Sequence, residues 1–186
     1  VHAGVAAKNE AAMAGETADA QAAFSAAWTT SNLELDGEDL AELEAKGRKL
    51  VDLYESPSGI LGVEQEVSVT LAPDLPPVVG RIDLIRQGVL ADIKTSATRG
   101  LADPTAVEAQ LGLYRLAYPA ERCEAIVLAK TKAPSITVIE VRPWSHARLE
   151  AHYREVYQAM QAGCRFAVHG WQCKTCPYRD HCHGSN

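Results

Sequence analysis

At 186 residues the chain has the length of one domain with an appended element, taking roughly 150 residues per domain, which is enough to bury a real core. Eighteen Lys and Arg against 24 Asp and Glu leave a net charge of −6, and 47% apolar with 23% charged residues match a globular domain rather than a disordered chain. The acidic balance counts against nonspecific coating of nucleic acid, which depends on Lys and Arg displacing counterions, and no apolar run approaches the roughly 18–20 residues that cross a bilayer.

No basic segment followed by an apolar stretch opens the chain, so the expectation is a non-membrane protein of the reducing cytoplasm. The start at Val1-His2, without a methionine, suggests that an upstream segment has been removed. Residues 2–29 are rich in Ala and Glu, which favours helix. Residues 37–54 place Leu40, Leu43, Leu50, Leu53 and Tyr54 near helical spacing, giving two helices joined near Ser31 to Asp36. From Gly62 the period becomes two: Val63, Gln65, Val67, Val69 and Leu71 share one strand face, and Glu64, Glu66, Ser68 and Thr70 the other. Pro73, Pro76 and Pro77 end that strand.

The runs VVGRIDLI (78–85) and VLADIKTS (89–96) flank Arg86-Gln87-Gly88 and predict a β-hairpin. A helix follows over 104–118, with Pro104 suited to its first turn. Strands at 125–130 and 135–141 and a helix over 145–162 lead to a cysteine-rich end. Helix, helix, three strands, helix, two strands, helix is a mixed α/β order around one sheet of about five strands. Residues 1–163 are expected to form the core with its N-terminal helices, and 164–186 a Cys-rich segment packed on it as part of a single domain.

If the hairpin closes with the two-residue loop Gln87-Gly88, opposed positions sum to 175, so Asp83 faces Asp92 and Arg81 faces Lys94. Facing carboxylates repel unless a cation joins them, and Mg²⁺ is commonly held by one or two carboxylates with several waters. Lys94, two residues after Asp92, projects to the same side, where an ammonium can orient a water and stabilise charge on a phosphoryl group. A three-residue loop with a bulge at Gly88 would separate the two carboxylates. Gln110 and Tyr114, four apart, share a helix face. Arg81, Arg86, Arg99, Arg115, Lys130 and Lys132 are candidates for phosphate contacts.

GRIDLI at 80–85, DIKTS at 92–96 and Gln110-Leu-Gly-Leu-Tyr114, in that order, resemble the PD-(D/E)XK nucleases. Within them the match is to the RecB-type branch that includes iron–sulfur CRISPR-adaptation and AddB-like nucleases. The resemblance implies a restriction-endonuclease-like α/β core. It implies Asp83, Asp92 and the Ile93 carbonyl as ligands for Mg²⁺ or Mn²⁺, Lys94 as the catalytic lysine, and Gln110 and Tyr114 as the branch's Q-x-x-x-Y motif beside the active site. His2 sits where the branch places a metal-binding histidine, and Glu64 or Glu66 could add a carboxylate.

Cys173-x2-Cys176-x5-Cys182 is a ligand pattern, because short loops let closely spaced thiolates converge on one centre. In similar nucleases this trio joins an upstream cysteine around a 4Fe-4S cluster. No cysteine precedes His2 here, so the fourth ligand is expected either upstream or from Cys164, His181 or His183, and Zn²⁺ with mixed Cys and His ligands competes. Cys123 is expected simply to be buried.

By resemblance the activity is metal-dependent, exonucleolytic hydrolysis of DNA, single-stranded or at duplex ends. Its setting would be recombination, repair, phage DNA metabolism or CRISPR adaptation, with a protein partner in such a complex. A non-catalytic nucleic-acid-binding or assembly module with the same fold and tail is the alternative. No G-x-x-x-x-G-K-[ST] loop supports a nucleotide-phosphate enzyme.

Overall fold

The computed structural model describes residues 1–31, 39–164, 176 and 179. Its elements are α1 (His2–Ala14), α2 (Ala20–Thr30), α3 (Leu40–Leu53), β1 (Ile60–Val69), β2 (Val78–Arg86), β3 (Val89–Ser96), α4 (Pro104–Ala117), β4 (Arg122–Ala129), β5 (Ser135–Val141) and α5 (His146–Gln161). The five strands lie in sequence order in one sheet. β1, β2 and β3 form an antiparallel meander, β3 and β4 pair in parallel, and β5 returns antiparallel. The parallel step needs a crossover, which α4 supplies. The expected α/β class and mixed five-stranded sheet are the observed ones.

The Ala-rich start differs from the expected single helix. Gly15 adopts a left-handed φ of 73°, and Glu16 N–H donates to the Ala11 carbonyl at 2.8 Å, the bond pattern of a glycine-terminated helix. Asp19 then caps α2 by accepting from Ala22 N–H at 2.9 Å. Helix propensity carries no signal against one long helix; the Gly15 and Asp19 pair does.

The sheet is covered on both faces. On one, Val5 of α1 and Leu50 and Tyr54 at α3 pack on Leu84, Ala91, Ile93, Ile126 and Leu128. On the other, Val107, Leu111 and Tyr114 of α4 meet Ile82, Ile85, Leu90 and Ala125. Leu149 of α5 and Leu113 of α4 close a third cluster with Val69, Leu71 and Leu75. Cys123 is buried, as expected. With Leu90 on the α4 side and Ala91 and Ile93 on the α1/α3 side, the period of two sends Asp92 and Lys94 toward α4.

The predicted common face of β1 is not kept. Val63 packs in the α1/α3 cluster and Val67 in the α4 cluster, although an even spacing should put them together. Between them Glu64 has φ 49°, a left-handed conformation uncommon for a non-glycine residue, and it turns the strand over. β2 breaks its alternation opposite this point: Ile82 and Ile85 share one cluster while Leu84 joins the other. Both irregularities flank Asp83.

Candidate active site

The hairpin register is the expected one as far as it runs. Leu84, Ile85 and Arg86 pair with Ala91, Leu90 and Val89, and Gly88 supplies the left-handed φ of 69° that the turn needs. Beyond Leu84 the ladder stops. Asp83 does not face Asp92 across a main-chain pair: its Oδ2 accepts from Ile93 N–H at 2.6 Å, so a carboxylate stands where a backbone carbonyl would. Nor does Arg81 face Lys94. Its guanidinium turns back to Glu66 at 3.0 Å and Glu64 at 3.8 Å on β1. Splaying of β2 from β3 opens the sheet at this point.

Asp92 is 1% exposed. Lys94 Nζ donates to its Oδ1 at 2.9 Å and to Gln110 Oε1 at 3.1 Å. Gln110 Nε2 in turn donates to the Tyr114 hydroxyl at 3.0 Å. The i, i+4 spacing on α4 thus produces a relay from Tyr114 through Gln110 to the Lys94 ammonium and on to Asp92. The Tyr114 ring is seated because residue 80 is glycine: a Cβ there would lie 2.7 Å from Tyr114 Cε1. The glycine of GRID lies within the motif, but this role is visible only once α4 is packed.

Burial pushes the Asp92 carboxyl above its ordinary value, against the Lys94 hydrogen bond and charge that pull it down, with the Asp83 charge pushing the same way as burial. Asp83 is also raised by burial, opposed by the Ile93 N–H and by Lys94. Glu64 is raised by burial and by the Asp83 charge, with Arg81 opposing. His2, exposed in the first turn of α1, is lowered by the protein packed around its ring, by the amino terminus and by Lys94, with Asp92 opposing. His2, Asp83, Asp92 and Glu64 therefore each sense another of the four or Lys94. Glu66 does not join them: its side chain is 74% exposed and engages Arg81.

Among the described residues no three or more His, Cys, Asp or Glu side chains gather closely enough to hold a metal ion. Lys94 takes the Asp92 carboxylate and the Ile93 amide takes one Asp83 oxygen, which is the physical reason the expected ligand set is not converged. The donor chemistry nevertheless suits a hard divalent cation. Asp92 Oδ2 is buried without a hydrogen bond of its own, and the Lys94 ammonium stands 2.9 Å from it as the other half of an ion pair. Of the proposed phosphate contacts, Arg86 is engaged with Glu124 at the closed end of the hairpin.

Cys173 and Cys182 lie outside the described residues, as do His181 and His183. Cys164 is exposed and Cys176 half-buried, both as free thiols. No helix among the described residues is long and apolar enough to cross a membrane.

A family model for the PD-(D/E)XK nuclease superfamily matches residues 1–183. Among solved structures, the protein SSO0001 aligns at a TM-score of 0.46 and 23% identity over 67% of this chain, and the match spans only 60% of that protein. A protein described as "Putative exonuclease" from Eubacterium rectale aligns at a TM-score of 0.50 and 13% identity, over 97% of this chain and 74% of its own. At that identity the likeness speaks for the fold alone. No curated protein matches significantly.

Proposed function

Because the chain belongs to the PD-(D/E)XK nuclease superfamily, whose members generally use divalent metals, we propose that it is a metal-dependent deoxyribonuclease acting as an exonuclease. Asp83 and Asp92 would hold Mg²⁺ or Mn²⁺, with the Ile93 carbonyl and His2 as further ligands and Glu64 as an outer carboxylate. The observation that carries this reading is the buried Asp92 carboxylate, ion-paired with an ammonium that is itself anchored to α4.

A bound divalent ion would supply positive charge that polarises the scissile phosphate and acidifies water. The chain's own residues set the rest. A lysine ammonium has three donors; those of Lys94 toward Asp92 and Gln110 leave one for the attacking water or a phosphate oxygen. Gln110 cannot rotate freely, because its amide nitrogen is engaged by Tyr114, so the ammonium keeps its aim. Such pre-aimed charge is worth most where water is scarce, and Asp92 is buried. Asp83, bonded to Ile93 N–H, keeps the β2–β3 gap at a fixed width.

The spacing of Cys173, Cys176 and Cys182 supports a 4Fe-4S cluster stapling the C-terminus to the core, and with it the RecB-type branch and a role in recombination, repair, phage DNA metabolism or CRISPR adaptation. Absorbance near about 400 nm marks such a cluster; a colourless protein carrying zinc marks the alternative.

The test is cleavage of end-labelled single- and double-stranded DNA with Mg²⁺ and with Mn²⁺. Activity should vanish in EDTA. Lys94→Ala should lower the rate by about 100-fold or more while Mn²⁺ binding, followed by calorimetry, persists. Normal cutting by Lys94→Ala overturns the assignment. Absence of saturable Mn²⁺ binding by the wild type would instead favour a non-catalytic nucleic-acid-binding module.

A further inference from the structure

Lys94 and Thr95 are adjacent on β3 and project to opposite faces of the sheet. Lys94 points to α4, whereas Thr95 borders a cavity of about 160 Å³ on the α1–α3 side. Buried Phe24 and Leu50 floor this cavity, Trp28 and Leu43 wall it, and the exposed Thr95 and Lys130 stand at its mouth. Phe24 and Trp28, four apart on α2, stack with ring centroids 6.1 Å apart and planes 17° apart. The floor is tight because α3 presents Gly47 to it: a Cβ there would lie 2.7 Å from the Phe24 ring.

The cavity and the carboxylate site lie on opposite faces of the same end of the sheet, joined through Thr95 and Lys94. Lys130 N–H donates to the Ser96 carbonyl at 2.8 Å, so the lysine rises from the same end of the sheet as Lys94. Val1, on the cavity's lining, immediately precedes α1. Ligands of open α/β sheets bind at the carboxyl ends of parallel strands, and β3 and β4 end here.

A cavity that served packing alone would be closed by aliphatic side chains. This one keeps a half-exposed indole and an ammonium at its rim. Aromatic walls accept any base by stacking, and a lysine beside them neutralises the attached phosphate, which is how single strands are held without sequence preference. A paired base cannot enter a slot bounded by two helices and a sheet.

We propose that this cavity is a nucleobase site, which takes one unpaired base of the strand being cut, stacked on Trp28, with Lys130 on the adjoining phosphate. The inference rests on the nuclease reading and adds to it the residues that require the nucleotide flanking the cut to be unpaired.

The test uses the full chain, Mn²⁺ and a set of labelled single-stranded oligonucleotides, each with one abasic site at a different distance from the cut. For the wild type one abasic position should raise KM about tenfold, the worth of a base stack. Trp28→Ala should raise KM about tenfold on the intact strand, be indifferent to the abasic site, and change kcat little. Trp28→Phe should restore KM. Lys130→Gln, a change at an exposed position, should raise KM a few-fold and weaken its salt dependence.

If no abasic position matters to the wild type, or if Trp28→Ala raises KM equally on intact and abasic strands, the base site is wrong while the nuclease reading stands. If the wild type cuts nothing, the nuclease reading falls. The base site is then decided by tryptophan fluorescence: quenching by an unlabelled thymidine oligonucleotide, lost in Trp28→Phe, upholds it, and no quenching overturns it.

Discussion

The two ends of the β2–β3 ribbon carry one buried carboxylate–cation pair each, built on opposite principles. At the closed end Arg86 meets Glu124 of β4, with Arg122 3.8 Å from the same carboxylate, among paired strands and apolar neighbours. At the open end Asp92 meets Lys94 through both oxygens at 2.9 Å, the ladder has stopped, and Asp83 substitutes a side chain for the main chain. The first arrangement sets two guanidinium groups on one carboxylate, although Arg86 Nε itself has no partner. The second sets two carboxylates, Asp83 and Asp92, beside one ammonium, and burial raises both carboxyls. Strands on both sides of Asp83 depart from their regular alternation there, so the open end is paid for by irregularity rather than by chance.

That contrast is broken most sharply by neutralising each carboxylate in turn. Asp92→Asn should abolish cleavage and Mn²⁺ binding, yet raise the melting temperature of the metal-free protein. Because its carboxyl is raised in the fold, the native state binds the extra proton between the ordinary and the raised value, and stability falls as pH rises through that window. Asp92→Asn should flatten the fall, and Mn²⁺ should stabilise the wild type but not the variant. Glu124→Gln should do the reverse, costing about 2 kcal/mol with cleavage kept. That lies below the roughly 3–5 kcal/mol of a fully buried broken pair, because Arg86 retains some water. Calorimetric melting across pH decides both, and a Glu124→Gln protein as stable as wild type would erase the distinction.

Gly80→Ala tests the relay. Its Cβ would meet the Tyr114 ring, and overpacking of this kind costs about 1–3 kcal/mol. Displacement of Tyr114 should reach Lys94 through Gln110, lowering kcat about tenfold with KM little changed. Gly80→Ala with Tyr114→Leu should recover stability but not kcat, since Gln110 then lacks its hydroxyl partner. Recovery of both would reduce Gly80 to a packing role.

Much of this was legible from spacing. The two-residue turn fixes the sum of 175, and Leu84, Ile85 and Arg86 obey it; Gln110 and Tyr114 share a face because helices repeat every 3.6 residues. What spacing misses is where regularity ends. Nothing in GRIDLI says that the ladder stops after Leu84, because the Asp83 carboxylate competes with a backbone carbonyl for the same amide. Nothing in VEQEV says that Glu64 turns left-handed and sends Val63 and Val67 to opposite layers. Arg81 was drawn toward Lys94 by counting, whereas two glutamates on the neighbouring strand hold it. The cavity beside Trp28 is invisible in sequence because it joins α2, α3 and β3, which are distant along the chain.

The break between α1 and α2 is the smallest of the sequence's omissions and gives the smallest effect. Asp19 is exposed and its carboxylate caps Ala22 N–H, so Asp19→Ala should cost about 1 kcal/mol and lower the melting temperature by about 2–4 °C for a chain of this size. Helix content should barely change, because the Gly15 terminus still forbids continuation through residue 15. Since α2 carries Phe24 and Trp28, fraying of its first turn should reach the cavity only weakly, leaving KM on single strands within about twofold of wild type, less than one lost base stack. A tenfold rise would mean that the cap, rather than the packing of Phe24 on Val51, sets the angle at which α2 meets the sheet.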